Sequence, residues 1–304
     1  MSRSVPDEAC RIRHWRLAGP SVLLDRRVHA IRADLADVAL AEVVAAPRYA
    51  EAVAEQCGVA VAMLRAGPGD EHAAVSALLY GETFDVFDVA GDWAWGQCSH
   101  DSYIGWIERT CLAPAATVPS HVVSSPTAAA FAEPDIKSAV VATLPLNARV
   151  EATRASGSFH HVAAAGGYLH DRHIAPLGAA GADPVALALA FVGSPYVWGG
   201  RTRDGIDCSG LTQAVLAAAG IACPRDSDQQ RDQVGEAVGF ADRARGDLVC
   251  FPGHVGILLD ADTLIHANAF WMTTLAEPLA AVVERLAMVT ATPISAIRRP
   301  HAKS

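Results

Sequence analysis

Residues 205–215 read Gly205-Ile206-Asp207-Cys208-Ser209-Gly210-Leu211-Thr212-Gln213-Ala214-Val215, and this stretch decides how the rest of the chain is read. Leu211, Ala214, Val215, Ala218 and Ala219 recur at the spacing of one buried helix face, and Gly220 supplies a stop. Asp207 is placed as the N-cap, which puts Cys208 in the first turn. The unpaired amides and positive dipole end there favour a thiolate, so a resting thiolate is expected at Cys208. Upstream, Pro195-Tyr196-Val197-Trp198-Gly199-Gly200 leads through a polar, glycine-containing loop to the cysteine.

Three strands are expected after this helix, at 247–251, 254–259 and 263–269, and two of them carry His254 and His266. His254, Gly256 and Leu258 share one strand face and Val255, Ile257 and Leu259 the other. If Asp260-Ala261-Asp262 is a three-residue hairpin loop, Leu259 pairs with Thr263 and Gly256 with His266. His266 then projects from the face of His254, one diagonal or about 7–8 Å away. A two-residue loop would send the rings to opposite faces. A thiol, a base and an orienting group form the arrangement that activates nucleophiles in general. Here His254 is the base and His266 holds its tautomer. A lone cysteine at a helix start, or a lone histidine at a strand start, is more often a packing residue. The conjunction of all three, with glycines at 199, 200 and 253, favours chemistry.

The 304 residues suggest two or three domains, and 51% hydrophobic with 19% charged residues is the composition of a packed protein. A net charge of -9 argues against nucleic acid as a main partner. No apolar run reaches the roughly 18 residues that span a bilayer. Met1–Arg16 is polar and lacks the apolar core of a secretory signal, so a cytoplasmic chain without a membrane partner is expected. Seven cysteines without framework spacing read as free thiols in a reducing compartment. No cofactor is implied. Metal is not expected either, because Cys250 and His254 would stand about 13 Å apart on one strand and the histidines at 170 and 173 lack thiolate partners.

The chain divides by character. Residues 1–58 read as an arm, with an Ala/Val/Leu-rich stretch at 33–46 that looks helical or mixed. Residues 59–114 alternate in short strands, with turns at Gly67-Pro68-Gly69 and Gly91-Asp92, as in a small β-barrel. A weaker version of the same rhythm fills 115–178, and Ser156-Gly157 against Gly91-Asp92 suggests an internal repeat. Gly178–Gly181 is a linker. Asp183-Pro184 opens a helix running to about Val192, within a final domain at 181–304. Helices followed by an antiparallel meander give an α+β class.

The stretches Gly193–Gly200, Gly205–Leu211, Pro224-Arg225-Asp226-Ser227, Arg245–Val249, Gly253–Ile257 and Leu264–Ala267 resemble the NlpC/P60 family of papain-like cysteine peptidases, in the same order. The upstream strands resemble bacterial SH3 (SH3b) domains. The combination is similar to the γ-D-glutamyl-L-diamino acid endopeptidases that cut cell-wall peptides. The resemblance implies a papain-like fold preceded by one or two SH3-like barrels, with Cys208 as nucleophile, His254 as base and His266 as third member. It implies cleavage of murein tripeptides with a free L-alanine amine, releasing L-Ala-γ-D-Glu, as in wall-peptide recycling; the diamino acid is diaminopimelate or lysine. It further implies that Glu82, Tyr103, Asp207, Ser209 and Ser227 bind that amine, that Tyr196 is a second oxyanion donor after the Cys208 amide, and that Trp271 shapes the diamino-acid pocket or packs. A wall-binding scaffold with a degenerate peptidase domain and a papain-like amidase or acyltransferase are the competing readings.

Overall fold

The computed structural model describes residues 23–116, 118–179 and 181–301; the Met1–Arg16 stretch read above for an export signal lies outside them. The described chain mixes helix and sheet, with α1 (Pro184–Ala190), α2 (Cys208–Ala218), α3 (Ser227–Gln233) and α4 (Leu279–Ala287) all beyond residue 183.

The Ala/Val/Leu-rich stretch at 33–46 is not an α-helix. Short strands Ala36–Asp37 and Tyr49–Ala50 pair in parallel around a 3-10 turn at Val38–Leu40, which the Asp37 carboxylate caps through the Ala39 amide at 2.9 Å. Ala30 and Leu35 bury against Phe87 and Trp95, while Val38 and Val43 stay exposed. These apolar residues serve separate contacts and form no single helical stripe. The next strand, Val53–Cys57, joins the first large sheet between Thr83–Ala90 and Leu112–Pro114, so that sheet begins upstream of the boundary expected at residue 58.

That sheet runs in the order Ala74–Leu79, Val61–Arg65, Ile104–Glu108, Trp93–Cys98, Thr83–Ala90, Val53–Cys57, Leu112–Pro114. In the following segment one sheet runs Val140–Pro145, Thr127–Phe131, Gly167–His170, Phe159–Val162, Thr153–Arg154, and a smaller one runs Arg149–Val150, His121–Val123, Ile174–Pro176. Laid end to end, the two orders agree strand for strand. The long Thr83–Ala90 strand is replaced by the short strands at 149–150 and 153–154. The turn preceding these strands repeats as well. Gly81 and Asn147 take positive φ (73° and 70°), and their amides donate to the Cys57 and Val123 carbonyls, respectively. Asparagine tolerates that conformation, which a branched side chain would not. Here it also bridges units, donating from Nδ2 to the Ala214 carbonyl in α2 at 2.9 Å.

The last domain is built on a six-stranded antiparallel sheet, in the order Glu236–Ala237, Ala296–Arg299, Leu248–Phe251, His254–Leu258, Thr263–Asn268, Thr273–Pro278. Helices α1 and α2 cover one face, where Phe191, Leu211 and Val215 meet Val255, Ile257 and Ile265. Helix α4 covers the other, with Leu279 and Val282 against Val249, Leu258 and Leu264. The Asp183 carboxylate caps α1 through the Val185 amide, as Asp-Pro predicts. The strands read from sequence at 247, 254 and 263 are present; those at 273–278 and 296–299, and α4, are additions.

One buried ion pair fastens the first sheet to this domain. Arg201 donates from Nη1 to Glu82 Oε2 at 2.9 Å and from Nη2 to Oε1 at 3.2 Å, and Nη1 also reaches the Ala77 carbonyl at 2.6 Å. Both side chains are almost wholly enclosed. Removing one partner strands the other charge in the interior, so Glu82→Ala is expected to lower unfolding stability by about 3–5 kcal/mol. Denaturant unfolding checks this, with Glu82→Gln/Arg201→Met recovering part of the loss.

Candidate active site

Cys208 opens α2 because Asp207 caps it: Oδ1 accepts from the Gly210 amide at 2.7 Å. Asp207 Oδ2 accepts from the Gly199 amide at 2.8 Å, and Arg225 grips both oxygens at 3.0 and 2.6 Å. The helix start lies flat against the Gly199-Gly200 loop. A Cβ on Gly210 would stand 2.2 Å from the Gly200 carbonyl oxygen, so only glycine fits there. Cys208 is 6% exposed and lines a cavity of about 270 Å3 with Tyr103, Trp198, Asp226, Ser227 and Gly253. Its sulfur faces the backbone amide of Val255. His254 therefore sits between Gly253, which lines that cavity, and Val255, whose amide the sulfur faces.

The hairpin register follows the three-residue loop. Ile257 pairs with Ile265, Leu258 with Leu264, and the Leu259 amide donates to the Thr263 carbonyl. His254 and His266 consequently share a face, and His254 Nε2 lies 2.8 Å from His266 Nδ1. Gly256 makes the room: a Cβ there would come within 3.0 Å of His266 Cβ. The chain of contacts continues beyond what the sequence indicated. His266 Nε2 meets Glu277 Oε1 at 2.8 Å, and Arg285 on α4 holds that carboxylate at 2.6 and 3.2 Å.

These contacts fix the protons. Burial would raise the Glu277 carboxyl, but Arg285 and His266 outweigh it and hold it below its usual range. An ionised carboxylate only accepts, so His266 carries its proton on Nε2. Burial pushes the His266 imidazole down, which keeps it neutral with Nδ1 bare. His254 must then donate from Nε2, and its Nδ1 lone pair is left free for the thiol.

The resting thiolate expected from the helix start is not supported. Burial, and then the Asp207 charge, push the Cys208 thiol up to about 11, against the pull of the Val255 and Ser209 amides. Burial, and then the neighbouring His266, push His254 down to about 3. A helix N-terminus contributes about 0.3–1 kcal/mol, less than one pKa unit, whereas full burial moves a group by up to about 3–5 units. Thiol and imidazole are both neutral at rest.

Of the other residues named from sequence, Tyr103, Ser209 and Ser227 line the Cys208 cavity. Tyr196 packs against the core around Cys208, its hydroxyl pushed up mainly by burial and further by the Asp207 charge. Asp207 lines the cavity, but its carboxylate is occupied by Arg225 and two amides. Glu82 must be corrected: its carboxylate faces Arg201 and the Leu79 amide, in a different cleft from Cys208. Asp226 stands where an acidic group was expected, accepting from the Tyr103 hydroxyl at 3.0 Å and from Arg27 at 2.8 Å. Sequence reasoning quoted Asp226 only as part of a motif, and gave no role to Arg27, Glu277 or Arg285. Trp271 is half exposed and stacks edge-on with Phe270 at 4.8 Å.

Comparison with known proteins agrees with this architecture. Residues 193–277 match the NlpC/P60 family, and residues 64–112 match the bacterial dipeptidyl-peptidase Sh3 domain. The chain carries an NlpC/P60 domain joined to a bacterial SH3 domain. A probable endopeptidase of Corynebacterium glutamicum is 40% identical over 96 residues, 31% of this chain and 46% of that protein. The γ-D-glutamyl-L-lysine dipeptidyl-peptidase of Bacillus subtilis is 32% identical over 93 residues, 28% of this chain and 31% of that protein. The chain thus spans less than half the length of either relative. The crystal structure of an NlpC/P60 family protein from Bacillus cereus superposes with a TM-score of 0.69 at 20% identity, over 81% of this chain and 99% of that one. This likeness speaks for the fold.

A neutral resting pair has a kinetic signature. Alkylation of Cys208 by iodoacetamide is expected to rise steadily with pH through the alkaline range, because the thiolate fraction grows toward about 11. A preformed thiolate–imidazolium pair would instead give a plateau starting at acidic pH. Glu277→Gln removes the anion that fixes the tautomer, and should cut kcat at least tenfold while leaving KM within twofold.

Proposed function

We propose that the chain is a cysteine peptidase that hydrolyses the amide between the γ-carboxyl of D-glutamate and a diamino acid, in murein peptides with a free N-terminal L-alanine. The observation that carries this reading is the line of contacts from His254 through His266 to Glu277, together with a carboxylate-bearing cavity that the Cys208 thiol and Gly253, the chain neighbour of His254, both line. The likeness to a γ-D-glutamyl-L-lysine dipeptidyl-peptidase supports the choice of bond. We read the two units of repeated strand order as small SH3-like barrels, the first of which lends Tyr103 to the cavity.

On this reading His254 Nδ1 takes the thiol proton as sulfur attacks the scissile carbonyl carbon. The Cys208 amide, in the first turn and without an intrahelical acceptor, meets the oxyanion, and the Tyr196 hydroxyl is a second donor. His254 passes its proton to the leaving amine, and the C–N bond breaks to a thioester. Water, deprotonated by His254, then releases L-Ala-γ-D-Glu and restores the thiol. The substrate ammonium is received by Asp226 with Tyr103, Ser209 and Ser227. A free-amine requirement selects peptides already released from the glycan, which is the chemistry of recycling. We place that role in the cytoplasm, a reducing compartment that suits the free thiols of the six described cysteines.

The test is mass spectrometry of a defined L-Ala-γ-D-Glu-diamino acid tripeptide and its N-acetylated twin. Expected are L-Ala-γ-D-Glu from the free peptide, none from Cys208→Ala protein, and at least tenfold lower kcat/KM on the acetylated peptide. Asp226→Asn should raise KM for the free peptide several-fold. Equal turnover of both peptides removes the amine pocket, and cleavage of neither removes the assigned bond.

A further inference from the structure

Where the loop after the Trp93–Cys98 strand meets Gln213 in the middle of α2, a second set of chemically active side chains gathers. Cys98 ends the Trp93–Cys98 strand, and the chain turns through Ser99, His100 and Asp101 to Ser102, which takes a positive φ of 62°. The Cys98 sulfur, a ring nitrogen of His100 and a carboxylate oxygen of Asp101 lie within 4.8 Å of one another. We propose that this loop is a zinc site that pins the first SH3 unit to α2.

The charges call for a cation. Glu82 and Asp101 are both enclosed, and Arg201 answers only one of them. An imidazolium at His100 could supply the missing charge, but it would donate from both nitrogens. Nδ1 lies 3.7 Å from Glu82 and Nε2 3.2 Å from Asp101, and neither contact has hydrogen-bond geometry. Buried ring nitrogens without hydrogen bonds are costly, and a metal–nitrogen bond removes that cost for one of them. A divalent ion with the Cys98 thiolate and the Asp101 carboxylate is neutral, as is Glu82 with Arg201.

The neighbouring amide points the same way. Gln213 on α2 is 1% exposed and donates from Nε2 to Asp101 Oδ2 at 2.8 Å and to the Cys223 carbonyl at 3.2 Å. Its Oε1 is buried without any donor, and a water on the metal's open position would supply one. A cleft of about 530 Å3, lined by Glu82, His100, Arg149, Arg201 and Gln213, leads to the site. Mixed sulfur, nitrogen and oxygen donors select zinc over magnesium or calcium. The expectation of no metal rested on Cys250, His254 and the histidines at 170 and 173; it did not weigh this loop.

The test uses full-length Cys208→Ala protein, so that the catalytic thiol takes no part, stripped with a chelator and titrated with Co2+. Expected are about one equivalent bound, a sulfur-to-cobalt charge-transfer band in the near ultraviolet, bleaching of the band by Zn2+, and a higher thermal midpoint with Zn2+ than without. Cys98→Ser should abolish the band, and His100→Gln should weaken cobalt binding at least tenfold. If Cys98→Ser does not fold, the His100→Gln comparison decides. Parent protein that takes up no cobalt overturns the proposal, as does a band that survives Cys98→Ser. Neither outcome touches the peptidase reading, which is tested on substrate.

Discussion

Asp207 and Arg225 grip each other at 2.6 and 3.0 Å inside the protein, and the candidate site is assembled around that ion pair. The carboxylate receives the Gly210 amide of α2 and the Gly199 amide of the approach loop. The guanidinium continues to Ser209 Oγ at 2.9 Å and to Ser76 Oγ of the first sheet at 3.1 Å. Two charged side chains thus register helix, loop and SH3 unit against one another. The pair is tolerable in the interior because nearly every lone pair and proton is hydrogen-bonded, the condition under which buried charges do not destabilise. It also has a chemical consequence. Asp207, committed to Arg225, still places a negative charge beside the sulfur, and that charge adds to burial in holding Cys208 as a thiol.

On the proposed reading, a neutral thiol served by a neutral imidazole shifts the work of activation from the resting protein to the encounter. The proton on Cys208 would then move only when attack on a carbonyl begins to form charge that the Cys208 amide can receive. What the structure supplies in advance is direction. Glu277, Arg285, His266 and His254 each have one way to point, because the carboxylate at the end of the line cannot donate. The anchor is rigid: Glu277 ends a strand paired to the His266 strand, and Arg285 rises from the helix that follows. Arg285 also sits 4.9 Å from the Phe270 ring beside exposed Trp271, so the histidine line and this aromatic pair share one guanidinium.

The sequence made the local parts of this legible. The cap and apolar spacing placed Cys208 at a helix start, and a three-residue loop with a period of two placed both histidines on one face. Where quantities compete over distance, it fell short. The helix dipole can be read from sequence but the burial opposing it cannot, so the thiolate expectation took the smaller of two effects. Glu277 and Arg285 lie on elements that no local pattern ties to His266. Glu82 was assigned from resemblance at a turn, yet Gly81 turns it toward Arg201, and the acid beside Tyr103 is Asp226. The stretch at 33–46 reads from composition as helical or mixed, and its apolar residues divide between contacts with the first sheet, as at Leu35, and solvent, as at Val38 and Val43.

The N-terminal segment has a part in the site that composition could not reveal. Its backbone lies along the first sheet, where Ile104 donates to the Arg27 carbonyl at 2.7 Å and Gln97 to the Val28 carbonyl at 2.9 Å. This delivers the Arg27 guanidinium to Asp25, Asp226 and Asp228, each at 2.8 Å. Three carboxylates around one guanidinium leave the cavity mouth with surplus negative charge. Burial nonetheless pushes the Asp226 carboxyl up, against Tyr103 and Arg27. An acid in that condition gains most from one more cation, because a neighbouring positive charge favours its ionised form. On the proposed reading the substrate's ammonium is that cation: its arrival and the full ionisation of Asp226 reinforce each other. An acylated amine brings no charge, leaves the burial of Asp226 uncompensated, and is refused on electrostatic grounds before any question of shape arises.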